Sequence, residues 1–363
     1  MRFYIPAILL IVATLVYLAI RTARLFTMSM AVTVVIFIML YAIAIGVMSS
    51  SLYMNGQKPY QHYMVLIGCT LSGLLITLLF TMMVCDIVGL FVHVPGWCQG
   101  LATYIIAVGI TVYSFHIARN PVIRNIPIKI SKTQQPLKVV QLTDLHIGHF
   151  RGKEWLDGVV EQVISVHPDI VVITGDIFES HYNFSEQTVM PLQRLQMPVL
   201  FVEGNHDIYV NQLKAKSLLR NIGVKVLENE KIDTLGVQVI GLNYMRADDK
   251  SRDAMHVAKG DVTIENVLPT FEIDSTRPSI LLHHNPQGIE YASANRVDLY
   301  LAGHTHGGQF FPVTLINHFI YRYNNGLYEF GNTQIYTSPG LGTTAIPLRF
   351  GTHPEITVID ITK

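Results

Sequence analysis

The chain opens with four long apolar runs, and near residue 119 these give way to short runs broken by polar turns. The stretches at 3–20, 28–49, 64–85 and 100–118 each approach the roughly 20 apolar residues a helix needs to cross the hydrocarbon core of a bilayer. Polar or turn-forming breaks separate them: Arg21-Thr22-Ala23-Arg24, Asn55-Gly56-Gln57-Lys58-Pro59 and Pro95-Gly96-Trp97. Residues 1–118 therefore read as a four-helix transmembrane anchor. Arg2 gives the first run a basic start, but Ile20-Arg21-Thr22 is a poor cleavage site and further spans follow. An uncleaved anchor is favoured over a signal peptide.

From Pro136 the periodicity changes to short β-branched runs bounded by turn residues. The expected strands are Leu137–Leu142, Ile170–Thr174, Val199–Val202, Val237–Leu242, Ser279–His283, Val297–Leu301, Gln334–Tyr336 and Ile356–Ile359. Helical patterns occupy Lys153–Val166 and the region after His206. Strands alternating with helices give an α/β domain, and the strand-rich later half points to a second sheet, so two packed sheets flanked by helices are expected. Residues 119–136, with Asn120-Pro121 and Gln134-Gln135-Pro136, read as a linker, and 137–363 as the soluble domain.

Charge sharpens the division. Residues 1–118 carry five charged side chains, Arg2, Arg21, Arg24, Lys58 and Asp86, and all others lie beyond. Residues 119–363 hold 22 Lys and Arg against 25 Asp and Glu, so no basic excess exists to meet nucleic acid. The three cysteines, Cys69, Cys85 and Cys98, all fall in the apolar region, which excludes a disulfide scaffold and thiol chemistry in the soluble domain. Four spans put both termini on one side, together with Arg2, Lys58, Arg119, Arg124, Lys129 and Lys132, against Arg21 and Arg24 on the other. That bias favours a cytoplasmic soluble domain on an integral membrane protein. Asp86, His93 and His116 lie near span ends rather than at midplane, so the spans read as an anchor without chemistry of their own.

Five segments follow expected strands and present polar side chains: Thr143-Asp144-Leu145-His146, Gly175-Asp176, Gly204-Asn205-His206-Asp207, His283-His284-Asn285-Pro286 and Gly303-His304-Thr305-His306-Gly307-Gly308. Sites in open α/β sheets form outside the carboxyl ends of strands. Taken singly, each segment has an ordinary structural explanation; Gly-Asp is a common turn, and Asn205 suits a helix start. Jointly, nitrogen and oxygen ligands arriving from five strands at one edge point to a metal centre.

In that order these segments resemble the calcineurin-like metallophosphoesterase superfamily, with its D-x-H, G-D, G-N-H-D, H and G-H-x-H blocks. The late stretch from Gly340-Leu341-Gly342 through Arg349-Phe350-Gly351 to Pro354-Glu355-Ile356 is similar to a bacterial branch of membrane-associated phosphoesterases, departing from it at Pro339, where a basic residue is frequent. The resemblance implies a four-layer α/β/β/α sandwich and two divalent metal ions, Mn²⁺, Fe or Zn²⁺. Asp176 would bridge them, Asp144, His146 and His306 would hold one, and Asn205, His284 and His304 the other. His206 would act on the leaving oxygen, and Asp207 would hold the tautomer of His206. His283 is the neighbour and His284 the ligand, because adjacent strand residues face opposite ways. His149, His181 and His318 lie outside the motif and read as surface or pocket histidines. The G-D-x-x-D-R-G and G-N-H-E blocks of protein phosphatases are absent, since Ile177-Phe178-Glu179 follows Asp176 and Asp207 closes the later block.

The function implied is a membrane-anchored phosphoesterase that cleaves a phosphate ester or diphosphate by metal-activated hydroxide. A lipid-linked substrate is one option, with Phe310-Phe311-Pro312-Val313 and His318-Phe319-Ile320-Tyr321 as apolar segments for acyl chains. The rival is a membrane receptor or transporter component that only binds a phosphorylated ligand.

Overall fold

Beyond the apolar helices, alternate residues of each central strand are buried on opposite faces, and this pattern builds the domain. The computed structural model describes residues 4–251 and 262–363; Arg2 lies outside them. The chain divides into two units, Met1–His116 with Ala345–Leu348, and Ile117–Thr344 with Arg349–Lys363.

The first unit contains α1 (Tyr4–Leu25), α2 (Met30–Ser51), α3 (Pro59–Gly89) and α4 (Gly96–Arg119). Among the described residues, α2, α3 and α4 are long and apolar enough to cross a membrane. They are three of the four runs expected; the first, 3–20, falls in α1 and begins outside the described residues. The supposed break at Arg21–Arg24 is itself helical and forms the end of α1. Arg21 Nε donates to both carboxylate oxygens of Asp86 on α3 at 2.8 Å. Asp86 also accepts from the Tyr17 hydroxyl and from Gln99 Nε2, each at 2.8 Å. This carboxylate thus ties α1, α3 and α4 together.

Among the described residues, the second unit holds twelve strands in two sheets. They are β1 (Val122–Lys129), β2 (Leu137–Leu142), β3 (Ile170–Thr174), β4 (Val199–Val202), β5 (Lys225–Val226), β6 (Glu230–Thr234), β7 (Val237–Gly241), β8 (Ser279–Leu282), β9 (Leu299–Ala302), β10 (Gly326–Phe330), β11 (Thr333–Thr337) and β12 (Glu355–Thr362). One sheet has the order β1-β12-β2-β3-β4-β5 and the other β10-β11-β9-β8-β7-β6. Both are mixed: β2 to β5 run parallel, as do β7, β8, β9 and β11, whereas β12 is antiparallel to β2. Half of the segment expected as a linker is therefore sheet, because β1 pairs in parallel with β12 from Val122↔Glu355 to Lys129↔Thr362. Its largely exposed side chains hid it from a reading based on buried runs.

The inner faces meet in one core. Val139, Ile170, Val172 and Leu200 of the first sheet pack with Val239, Ile280, Leu282 and Leu301 of the second. The alternate residues Val140, Val171, Ile173 and Phe201 pack outward against α5 (Lys153–Ser165), α6 (Glu186–Val189) and α7 (Asn205–Asn221). Ile240, Leu281 and Tyr300 pack outward beneath α8 (Ile264–Val267) and α9 (Ile289–Ala294). Strands buried on both faces read as continuous apolar runs, and each such aliphatic side chain stabilises the fold by about 1.5–3 kcal/mol. A last short helix, α10 (Val313–Ile320), follows β9.

Candidate metal centre

The ends of β2, β3, β4, β8 and β9 deliver all seven expected ligands to one edge of the domain. Asp144 and His146 follow β2, Asp176 follows β3, Asn205 opens α7 after β4, His284 follows β8, and His304 and His306 follow β9. The donor atoms of Asp144, His146 and His306 lie within 4.8 Å of one another, as do those of Asp176, His284 and His304. Asp176 Oδ2 stands between the groups, 3.1 Å from His284 Nε2 and 3.8 Å from His146 Nε2. Nε2 of His146 and Nε2 of His306 converge to 3.1 Å.

Bringing so many groups together strains the backbone. Asp144, His146, Asp176, His304 and His306 all adopt left-handed φ between 47° and 73°, a region costly for residues with side chains. Two glycines make room. A Cβ on Gly204 would lie 2.1 Å from Asp176 Oδ1, and one on Gly303 would lie 2.3 Å from Asp144 Oδ2.

The donor set suits cations. His146 Nδ1–H donates to Glu179 Oε2 at 2.5 Å and His284 Nδ1–H to the Thr174 carbonyl at 2.7 Å. Each bond fixes the tautomer that turns a lone pair on Nε2 inward. His284 Nε2 and Asn205 Oδ1 are buried without a hydrogen-bond partner, an arrangement that costs free energy unless something coordinates them. The carboxylates demand positive charge. Burial alone would lower the His146 imidazole, but Glu179, Asp144 and Asp176 outweigh it and hold its pKa up at about 10. Burial is likewise overcome at His284 by Asp176 and Asp144, which lift it to about 9. His306 goes the other way, to about 3, through burial and the cations of His146 and Arg349. Metal ions satisfy the same demand.

Asp207 does not play the part expected of it. Its Oδ2 accepts the N–H groups of Asp176 (2.8 Å) and Gly204 (2.9 Å), and its Oδ1 those of Ile177 (3.0 Å) and Phe178 (3.2 Å). It welds the turn after β3 to the start of α7, and burial together with Asp176 raises it to about 7. The partner of His206 is Glu179, whose Oε2 lies 2.9 Å from His206 Nδ1. Sequence reading missed Glu179 as a site residue. The available signal was an acidic residue three positions beyond Asp176.

The remaining histidines separate cleanly. His283 is fully buried, with Nδ1 near the Asn285 carbonyl (2.9 Å) and Nε2 accepting the Met245 N–H (3.3 Å). His149 stacks on Tyr182, His181 Nε2 bonds the Val210 carbonyl, and His318 Nδ1 bonds the Thr314 carbonyl. None of the three joins a cation-holding group among the described residues. At Pro339, the departure from the family branch, the carbonyl accepts from the buried Arg349 guanidinium at 2.6 Å.

The calcineurin-like phosphoesterase model matches residues 137–308. A metallophosphoesterase of Helicobacter pylori strain J99 is 33% identical over 240 residues, covering 65% of this chain and 62% of its own. The metallophosphoesterase YkuE of Bacillus subtilis is 33% identical, covering 62% of this chain and 78% of that one. A transmembrane protein with metallophosphoesterase domain from Bos taurus is 30% identical, covering 72% and 61%. The chain thus spans about three fifths of the length of the Helicobacter and bovine relatives.

Proposed function

Because this chain belongs to the calcineurin-like metallophosphoesterase family, we propose that it is a membrane-anchored dimetal phosphoesterase acting on a phosphate ester or diphosphate of a lipid-linked substrate. The observation that carries this reading is the pair of donor groups, with Asp176 Oδ2 of one lying 3.8 Å from His146 Nε2 of the other. Asp144, His146 and His306 would hold one divalent ion and Asn205, His284 and His304 the other, with Asp176 common to both. Mixed imidazole, carboxylate and amide donors suit Mn²⁺, Fe or Zn²⁺. Such ions, when bound, neutralise phosphoryl charge and activate water.

The chain's own residues supply the rest. His206 carries a proton for the leaving oxygen: Glu179 Oε2 lies 2.9 Å from its Nδ1 and orients the ring, which stands edge-on to His146. Burial pushes the His206 imidazole down, but Asp176 and Glu179 outweigh it and keep its pKa above the ordinary value. That favours the protonated form an acid catalyst needs. The backbone N–H of His206 donates to Asp176 Oδ1 at 2.8 Å, so the acid is fixed to the carboxylate that would be common to both ions.

The membrane supports an amphiphilic substrate, since β1 begins only three residues after α4 ends. We place the catalytic domain on the cytoplasmic face of a bacterial inner membrane, on the bias of Lys58, Arg119 and Arg124 against Arg21 and Arg24. A receptor or transporter component that only binds phosphorylated ligand is disfavoured because no ligand position is lost. The test is product analysis of detergent-purified, Mn²⁺-loaded protein on an aryl phosphate, a bis-aryl diester and a diacylated nucleotide-sugar diphosphate, with Asp176→Ala as control. Preferential, Asp176-dependent cleavage of the lipid is expected. Cleavage of the aryl esters alone would sink the lipid assignment, and no cleavage with metals bound would sink the enzymatic one.

A further inference from the structure

Helix α10 is amphipathic in the reverse sense to a helix of a soluble domain. At 100° per residue, Val313, Leu315, Ile316, Phe319 and Ile320 share one arc. All five are exposed, Phe319 to 91% and the others to between 48% and 57%. On the polar side, Asn317 faces the protein. Asn317 is buried, and its amide donates to the Thr305 carbonyl at 3.1 Å and to Asn324 Oδ1 at 2.5 Å. Tyr321, the residue after the helix, sets its hydroxyl 3.2 Å from Nε2 of His304. A water-exposed helix buries its apolar stripe; a contiguous apolar arc left outside, over a polar anchor, marks an interaction surface.

The occupant follows from the rest of the chain. Among the described residues, three helices are long and apolar enough to cross a bilayer, and the first strand starts three residues beyond the last of them, so the chain itself tethers this domain to lipid. The arc carries no charge, and Tyr321 and Arg322 come directly after it, an aromatic ring and a cation of the kinds that settle at headgroup level. We propose that α10 lies in the bilayer interface with its apolar arc among the acyl chains, which sets the adjoining His304 and Tyr321 at the depth of lipid headgroups. Only the link from that depth to catalysis rests on the phosphoesterase reading; the insertion itself does not. Ile208, Tyr209 and Leu213, exposed on α7 just after His206, give the other flank of the site an apolar rim as well.

The test uses the full chain in nanodiscs of phosphatidylcholine and phosphatidylglycerol. In a Cys69→Ser, Cys85→Ser, Cys98→Ser background, Phe319→Cys carries an environment-sensitive fluorophore, and Leu235→Cys, 52% exposed in the β6–β7 turn, carries the same probe as an aqueous reference. The expected result at position 319 is a blue-shifted emission quenched by doxyl-labelled lipid and shielded from iodide. Iodide quenching equal to that at position 235 would overturn the proposal. So would a probe shielded from both quenchers, which would mean a protein partner such as a second copy. Separately, Ile316→Asp with Phe319→Asp should lower the ratio of lipid-diphosphate to aryl-phosphate turnover by about tenfold or more, as expected when large apolar side chains leave the acyl region. An unchanged ratio with an inserted helix would refute the link to catalysis. If the parent protein cleaves neither compound, the proposed function fails while the quenching result still decides the insertion.

Discussion

Replacing Glu179 by glutamine removes one charge from the centre and leaves its shape almost intact. One oxygen, Oε2, serves both His146 (2.5 Å) and His206 (2.9 Å), while Oε1 takes a hydrogen bond from the Thr344 hydroxyl at 3.2 Å. In Glu179→Gln the amide oxygen can still face the imidazoles, and the new amide hydrogens can face Thr344, whose hydroxyl then accepts. What is lost is the charge assistance. A hydrogen bond to a charged group contributes about 1.5–3 kcal/mol, compared with about 0.5–1.5 for a neutral one. The difference at two imidazoles corresponds to a loss of about ten- to a hundredfold in turnover, the range seen for outer partners of metal-ligating histidines. The sign in pH also follows. Asp176 and Glu179 together overcome burial to keep the pKa of His206 high, so losing Glu179 lets it fall. Since the proton on His206 is needed, the alkaline limb of kcat/KM should move to lower pH, while the metal content of carefully loaded protein stays close to two. The assay is a pH–rate profile with a soluble aryl phosphate, paired with metal analysis. An unchanged profile and unchanged kcat would refute the role assigned to the Glu179–His206 pair.

Asp176→Ala should abolish metal-dependent turnover and cost at least one bound metal, whereas His206→Ala should keep both metals and turn over slowly; loss of metals from the second variant would contradict its assigned role. Gly303→Ala should sharply weaken metal binding measured by calorimetry, because its Cβ would intrude on Thr143 Oγ1 and Asp144 Oδ2; wild-type affinity would mean the turn relaxes at little cost. Burial holds the His283 imidazole at about 4, below its ordinary unfolded value. Folded and unfolded states therefore differ in bound protons between about pH 6.5 and 4, and about 3 kcal/mol of stability present above this window is lost as pH falls through it. His283→Gln, able to mimic the neutral ring's donor and acceptor, should flatten that slope in denaturation measured against pH, and an identical slope would count against it. Asp86→Ala should destabilise the detergent-solubilised protein by on the order of 1–3 kcal/mol, read as a lower thermal midpoint, by stranding Arg21, Tyr17 and Gln99; no change would mean these groups find other partners.

The central sheets were legible because their strands are buried on both faces: β2, β3 and β4 coincide with the apolar runs from which they were expected. The edge strands were not. β6, Glu230–Thr234, and β10, Gly326–Phe330, keep polar or half-exposed positions, and their stability comes from a neighbour rather than from their own composition. The candidate ligands were legible as a set because each sits where a strand ends, and residue type there is governed by chemistry more than by packing. Second contacts were harder. Asp207 and Glu179 stand one and three positions beyond site residues, and only tertiary geometry shows that the nearer acid caps backbone while the farther one meets His206. In the helical region, Arg21 looked like a loop residue because its compensating carboxylate, Asp86, is remote in sequence.

The pairing of β1 with β12 bears on how the protein is made. The ribosome delivers β1 directly after α4, yet the strand that β1 needs comes last and must enter between β1 and β2. At about 5–20 residues per second, the roughly 225 intervening residues take on the order of 10–45 s to appear. Throughout that interval the membrane-proximal strand has no partner and β2 presents an open edge, a form that other chains can capture. Insertion of β12 is therefore the closing step of maturation. A chain cut short before Glu355 would retain every candidate ligand and still leave β2 to β11 joined to α4 by an unpaired segment.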